Sequence, residues 1–144
     1  MAEVVLDANV LVGLLYAEDA QHGRARALAD RLERDGHELV LLAVLVGEAV
    51  SVLCRRARER KASPPGLAEV LAVVRGWFEG GHVRGTGQDA LRFAADVIDT
   101  VAVTGGVLNF NDALLVVLQR QGVIDDVASF DSGFDAVAEF RRIG

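Results

Sequence analysis

The sequence has little of several residue types, and each scarcity excludes a class of protein. Its 144 residues include one cysteine, Cys54, and two prolines. A single cysteine cannot form an intrachain disulfide, which excludes a disulfide-stabilised scaffold and favours a reducing, cytoplasmic setting. The three histidines, His22, His37 and His82, share no metal-ligand spacing, so no zinc site is predicted.

Long apolar runs are also missing. The longest extends over residues 39–46 and ends at Gly47-Glu48. A membrane-spanning helix needs roughly twenty apolar residues, so this segment predicts a buried core element and no membrane association. Residues 1–7 lack the basic and apolar regions of a signal peptide, and none is expected. With 51% hydrophobic and 25% charged residues, we expect one folded domain over residues 1–144.

Positive charge is scarce as well, since 15 Lys and Arg residues stand against 21 Asp and Glu, a net charge of −6. This sign is unusual for a nucleic-acid-binding protein. It matters less when the acids surround divalent cations, because bound ions invert the local charge. The basic residues nevertheless cluster in one stretch: Arg55, Arg56, Arg58, Arg60 and Lys61. Such a stretch is usually a solvated helix end, and RNA binding by Arg55, Arg56 and Arg58 is the alternative.

Short apolar runs alternate with segments of helical periodicity. Strands are predicted at residues 4–6, 38–42, 82–84 and 127–130, with a last edge strand at 138–140. Helices are predicted at about 8–16, 20–34, 43–61, 88–103 and 112–121, and another, capped by Ser63, reaches Phe78. This alternation predicts an α/β fold with a mainly parallel sheet of four or five short strands and helices on both faces.

Four acidic residues are predicted to meet at one edge of this sheet. Asp7 and Asp131 directly follow predicted strands, and ligands of open α/β sheets bind beyond the carboxyl ends of the strands. Glu48 and Asp112 lie in the first turns of two helices, so all four can converge there. Glu48 has apolar neighbours and no basic residue one helical turn away, and burying it without a partner is costly.

Several carboxylates without a Cys or His cluster indicate a hard cation, Mg²⁺ or Mn²⁺. Such an ion activates water and stabilises the charge of an in-line phosphoryl displacement, which suggests phosphodiester hydrolysis. Each acid also has a structural interpretation. Asp7 can cap the next helix, and Asp112 is favoured in a first turn by the helix dipole. Asp131 and Asp135 are ordinary turn residues, and Asp135 stays open as the alternative fourth acid.

The same residues resemble a known family. Leu6-Asp7-Ala8-Asn9 resembles the N-terminal D-x-N signature of PIN domains, and Gly47-Glu48 resembles their glutamate near the start of the third helix. Asn111-Asp112-Ala113 resembles the family's D-A pair, and residues 129–134 resemble its T-x-D-x-x-F segment. The resemblance covers essentially the whole chain in order. Ala8 departs from the usual Thr or Ser, whereas Ser129 keeps the hydroxyl of the commoner Thr.

This resemblance implies a three-layer α/β/α fold and a Mg²⁺- or Mn²⁺-dependent ribonuclease. It implies that Asp7, Glu48, Asp112 and Asp131 hold the metal, and that Asn9 orients Asp7. A chain this short most resembles a VapC-type toxin of a type II toxin–antitoxin pair. The resemblance then implies a cytoplasmic homodimer that cleaves RNA and is inhibited by a cognate VapB-like antitoxin.

Two other functions stay open. One is a catalytically inactive PIN-fold module that binds RNA or protein, although the presence of all four acids counts against it. The other is a phosphatase or phospho-receiver with Asp7 as the acceptor. The phosphatase would need a second aspartate where Asn9 stands, and the receiver a lysine late in the chain, whereas the only lysine is Lys61.

Overall fold

The computed structural model describes residues 2–59 and 66–144, and within these ranges it contains a five-stranded sheet surrounded by helices. In chain order the elements are β1 (Glu3–Leu6), α1 (Ala8–Leu15), α2 (His22–Arg34), β2 (Glu38–Leu42), α3 (Ala43–Glu59), α4 (Leu67–Glu79), β3 (Val83–Arg84), α5 (Asp89–Arg92), α6 (Ala94–Val103), α7 (Phe110–Arg120), β4 (Asp126–Ala128), a 3₁₀ helix (Ser132–Ala136) and β5 (Arg142–Ile143). Arg60, Lys61 and the predicted cap Ser63 lie outside the described residues. None of the helices within these ranges is long and apolar enough to cross a membrane.

The strands are all parallel and run in the order β3-β2-β1-β4-β5. Residues 4–6 of the central strand β1 are buried, as expected for a strand covered by helices on both faces. Because the strands are parallel, their carboxyl ends meet at one edge. The predicted α/β/α fold with a mainly parallel sheet is confirmed.

Helix α7 is buried along most of its length. Residues 112–119 are all buried, and a helix surrounded on every side belongs in the core. Asn109 caps its start, since Asn109 Oδ1 accepts a hydrogen bond from Asp112 N at 2.9 Å. In return, Asp112 Oδ2 accepts one from Asn109 N at 3.2 Å, which completes a capping box. The cap therefore fixes the position of the Asp112 carboxylate.

Helices α1 and α2 approach each other closely because residue 13 is glycine. A Cβ atom at Gly13 would lie 2.8 Å from the Ala25 Cβ and 3.2 Å from the Gln21 carbonyl oxygen. The His22 Nδ1 also lies 2.7 Å from the Gly13 carbonyl oxygen. This packing brings the start of α2 next to α1.

Two predicted elements were wrong. The helix expected at 88–103 is interrupted at Phe93, which packs against the core with φ −104° and ψ 12°, outside the α-helical range. The edge strand expected at 138–140 is instead Arg142–Ile143. Phe140 packs against Phe134, with ring centroids 4.7 Å apart, so this aromatic residue contributes to packing rather than to the sheet.

Candidate active site

A cleft of about 290 Å³ lies at the carboxyl edge of the sheet. Asp7 follows β1, Asp131 follows β4, Glu48 belongs to α3, and Asp112 opens α7. All four of these acids line the cleft. The polar lining is completed by Asn9, Asp19, Gln21, Arg56 and Asn109.

The Asp7 carboxylate is buried and held on both oxygens. Asp7 as a whole is only 4% exposed. Oδ1 accepts a hydrogen bond from Ala8 N at 2.8 Å. Oδ2 accepts one from Ser129 Oγ at 2.6 Å and a longer one from Asn9 Nδ2 at 3.4 Å. Asp7 is therefore the N-cap of α1, as its structural interpretation predicts, and it also faces the cleft.

Ser129 and Asn9 join the end of β4 to the end of β1. Asn9 Nδ2 donates to Ser129 Oγ at 3.0 Å, and Asn9 Oδ1 accepts from Phe130 N at 3.0 Å. Ser129 Oγ also accepts from Asp131 N at 3.1 Å. This network positions the segment that carries Asp131 as well as the Asp7 carboxylate.

Asp112 and Asp7 both have raised pKa values in this cleft. Burial is the largest cause that raises the pKa of Asp112 to about 6, against the hydrogen bond from Asn109 N. The charges of Asp7, Asp131 and Glu48 raise it further. Burial also raises the pKa of Asp7 above its ordinary value, against its hydrogen bonds, and the charges of Glu48 and Asp131 add to the rise. Crowded negative charge of this kind is relieved by a cation.

Glu48 has a partner that its sequence neighbours did not reveal. Its Oε2 accepts a hydrogen bond from Asn111 Nδ2 at 3.2 Å. Within residues 2–59 and 66–144, Glu48 Oε1, Asp112 Oδ1 and Asp131 Oδ2 have no hydrogen-bond partner. No buried side-chain polar atom in the described residues lacks a partner, so Glu48 Oε1 and Asp112 Oδ1 are accessible to water, and Asp131 is itself exposed. They are available to a ligand in the cleft.

This donor set fits a hard divalent cation, because Mg²⁺ and Mn²⁺ prefer carboxylate oxygens. Among the residues that the structure describes, no group of three or more Asp, Glu, His or Cys side chains is arranged to hold an ion as it stands. Mg²⁺ usually keeps several waters and binds through one or two carboxylates together with substrate phosphates. The carboxylate chemistry of this cleft is compatible with that mode.

Asp135, the alternative fourth acid, does not line the cleft. It forms an ion pair with Arg142, with Arg142 Nη2 3.2 Å from Asp135 Oδ1. Asp131 lies at the cleft instead, where its Oδ1 accepts a hydrogen bond from Gly133 N at 2.8 Å.

The three candidate RNA-binding arginines of α3 occupy different places. Arg56 lines the cleft, and its Nη1 lies 2.5 Å from Asp19 Oδ1. Arg55 forms an ion pair with Glu59 at 4.0 Å, and neither Arg55 nor Arg58 is among the described lining residues. Asp19 was not expected from the sequence, because its partner lies 37 positions away and no local pattern indicates the pair.

Comparison with known proteins gives one family and a common fold. The PIN domain family model matches residues 4–140. The solved structure of VapC20 from Mycobacterium tuberculosis, described as a sarcin-ricin loop cleaving toxin, is similar with a TM-score of 0.65 at 21% identity, over 96% of each chain. FitAcB from Neisseria gonorrhoeae has a TM-score of 0.61 at 17% identity, over 98% of this chain and 96% of that one. At these identities the likenesses show a shared fold. No curated protein matches this chain.

Proposed function

The chain belongs to the PIN-domain family, and from that membership we propose that it is a Mg²⁺- or Mn²⁺-dependent endoribonuclease that hydrolyses RNA phosphodiester bonds. The observation that carries this proposal is the lining of one cleft by Asp7, Glu48, Asp112 and Asp131. The residues matched by the family model include all four acids.

The acids would hold the ion through their carboxylate oxygens. A bound divalent cation supplies an activated water and stabilises the charge that develops on the phosphate. Ser129 and Asn9 hold the Asp7 carboxylate in place, and Asn111 does the same for Glu48. Hydrogen bonds of this kind orient metal ligands and tune their affinity for the ion.

We also propose that this ribonuclease is the toxin of a type II toxin–antitoxin pair, acting in the cytoplasm as a homodimer with a VapB-like antitoxin. The likeness to VapC20, which is described as a toxin that cleaves the sarcin-ricin loop, supports this proposal. Exposed apolar side chains on and after α6 support self-association, since Ile98, Val103 and Val107 are 56%, 87% and 59% exposed.

The first experiment compares the wild type with three variants, Asp7→Asn, Asp131→Asn and Asp135→Asn, each purified free of antitoxin. Total RNA, tRNA and rRNA are incubated with each protein in Mg²⁺, in Mn²⁺ or in EDTA. We expect metal-dependent cleavage by the wild type and by Asp135→Asn, the matched control outside the cleft. Asp7→Asn and Asp131→Asn should lose cleavage while remaining folded.

Cleavage that persists in EDTA, or in the Asp7→Asn variant, would contradict the metal-dependent mechanism. A folded, metal-supplied wild type that binds these RNAs and cuts none of them would favour the inactive PIN-fold binding module instead. Equal losses in Asp131→Asn and Asp135→Asn would contradict the assignment of Asp131 as the fourth acid.

A further inference from the structure

A second groove, of about 370 Å³, lies beside Phe130 and is lined by arginines of α2. Arg24, Arg31 and Arg34 are separated by seven and three residues, a spacing that places them on one face of the helix. All three are exposed. The other lining residues are Ala27, Leu28, Phe130 and Gly144. We call Arg24, Arg31, Arg34 and Phe130 the α2 arginine groove.

The α2 arginine groove is lined by three arginines on an acidic protein, and the acids Asp30 and Glu33 lie beside Arg34 on the neighbouring face of α2. The chain has a net charge of −6, yet none of the three arginines forms an ion pair with another described residue. Arg31 and Arg34 lie in the last turn of α2, where the helix dipole favours cations. Arg24 lies in the first turn, where the same dipole disfavours a cation. The helix dipole therefore does not account for the charge at Arg24.

The α2 arginine groove lies beside the acidic cleft, because Phe130 of the groove is hydrogen-bonded to Asn9 of the cleft. Gln21 lines the cleft at the start of α2, and Arg24 follows one turn later. The Arg24 guanidinium lies over the Phe130 ring, 4.2 Å from its centroid. Phe130 is next to Asp131 in the chain, and its backbone N donates to Asn9 Oδ1 in the cleft. From Arg24 to Arg34 the groove extends about 15 Å along the helix.

We propose that the α2 arginine groove binds the phosphate backbone of single-stranded RNA beside the bond that is cleaved. The proposal rests on the proposed ribonuclease function and adds where the substrate lies. Arginine suits this role because its planar fork pairs with phosphate oxygens. The Arg24 guanidinium, which lies over the Phe130 ring, offers a planar surface on which an RNA base can stack.

The test measures RNA binding in the Asp7→Asn background, so that the RNA is not consumed and binding is separated from cleavage. Fluorescence anisotropy follows labelled poly(U) at several salt concentrations. The variant is the triple substitution of Arg24, Arg31 and Arg34 by alanine. The matched control is Arg26→Ala, on the same helix, because Arg26 lines a separate cleft together with Glu33.

We expect the triple alanine variant to bind poly(U) about tenfold more weakly or worse. The slope of log affinity against log salt should fall by about 2, since three phosphate contacts are lost at about 0.7 each on a single strand. Arg26→Ala should leave both quantities unchanged. Substituting lysine at the same three positions should restore most of the affinity, which separates loss of charge from loss of folding.

Four results would overturn the proposal. The first is an unchanged poly(U) affinity in the triple alanine variant, and the second is an equal loss of poly(U) affinity in Arg26→Ala. The third is that Asp7→Asn does not bind poly(U) at low salt. The fourth is that poly-glutamate binds to the same arginines as tightly as poly(U) does. Arginine-dependent poly(U) binding by a wild type that cuts no RNA would instead leave the α2 arginine groove standing and refute the nuclease. Metal-dependent RNA cleavage together with poly(U) binding that does not depend on the arginines would support the nuclease and refute the α2 arginine groove.

Discussion

Ser129 connects the two acids that follow neighbouring strands. It is fully buried, and its Oγ donates to Asp7 Oδ2 at 2.6 Å. The same oxygen accepts hydrogen bonds from Asn9 Nδ2 and Asp131 N. Removing this hydroxyl would leave a buried carboxylate with fewer donors and a backbone N–H without its acceptor.

We therefore predict that Ser129→Ala lowers the free energy of unfolding by about 1–3 kcal/mol. We also predict that it weakens Mg²⁺ or Mn²⁺ binding by about 10- to 100-fold, because the Asp7 carboxylate loses its shortest hydrogen bond. Urea unfolding and metal titration measure the two effects. The control is Ser51→Ala, whose hydroxyl bonds the Gly47 carbonyl on the exposed side of α3. Equal effects in the two variants would show that the buried network has no special role.

The raised pKa of Asp112 makes the stability of the metal-free protein depend on pH. The pKa rises from 3.8 in the unfolded chain to about 6 in the folded protein, chiefly through burial. The folded state then holds this proton more tightly, so its contribution to stability is present below about pH 4 and is lost as pH rises through 6. In EDTA, we predict that the free energy of unfolding of the wild type falls relative to Asp112→Asn across this range, by at most about 3 kcal/mol.

Urea denaturation of both proteins at several pH values measures this difference. Asp112→Asn is a suitable reference because an asparagine oxygen can still accept the capping hydrogen bond from Asn109 N. The raised pKa of Asp112 would be contradicted if the difference in free energy of unfolding between the two proteins stayed constant from pH 4 to 7. It would also be contradicted if that difference changed in the opposite direction.

Local sequence patterns indicated the positions of the four acids but not the partners of Glu48 and Arg56. Asp7 and Asp131 follow strands, and parallel strands bring such residues to a common edge. The hydrogen bond from Asn111 to Glu48 and the ion pair of Arg56 with Asp19 join residues 63 and 37 positions apart. These contacts exist only after folding, and no periodicity or spacing indicates them.

At the scale of elements, Gln119 shows why the last strand was misplaced. Its side chain lies in the buried helix α7, where Nε2 donates to the carbonyl oxygens of Asp125 and Arg141 at 2.8 and 3.1 Å. Its Oε1 accepts from Arg141 N at 2.8 Å. This residue fixes the chain just before β5. A glutamine at the end of an apolar helix gives no local signal of that contact.

The close packing of α1 on α2 gives a prediction at the same scale. In Gly13→Ala, the new Cβ would lie 2.8 Å from the Ala25 Cβ, so the two helices must separate. We expect the free energy of unfolding to fall by about 1–3 kcal/mol. RNA affinity should fall too, because α2 carries the arginines of the α2 arginine groove.

The control is Gly76→Ala in α4, where an added Cβ would meet nothing within 4 Å. Alanine is a better helix former than glycine, so this variant should be about 0.5–1 kcal/mol more stable than the wild type. Urea unfolding compares the two variants. A stabilised Gly13→Ala would show that the helices accommodate the methyl group and that residue 13 does not set their distance.

At the scale of the whole molecule, the net charge of −6 conceals a separation of charges. Carboxylates line the cleft, and arginines without ion pairs among the described residues line the adjoining α2 arginine groove. A divalent cation in the cleft would offset part of the negative charge there. An RNA strand could then approach the cleft while its phosphates pair with the arginines of the α2 arginine groove, although the protein as a whole is acidic.

This separation of charges predicts that metal ions and loss of acids have opposite effects on the thermal unfolding midpoint. Mg²⁺ or Mn²⁺ should raise the unfolding midpoint of the wild type and of Asp135→Asn. At a metal concentration of a hundred times the dissociation constant, the gain in free energy of unfolding should be about 2.7 kcal/mol. The double variant Asp7→Asn, Asp112→Asn should start from a higher midpoint in EDTA, because it lacks the repulsion between those carboxylates, and should gain little from either metal. NaCl at matched ionic strength separates binding from screening. If NaCl raises the wild-type midpoint as much as Mg²⁺ does, the acids repel one another without forming a metal site, and the proposed chemistry loses its basis.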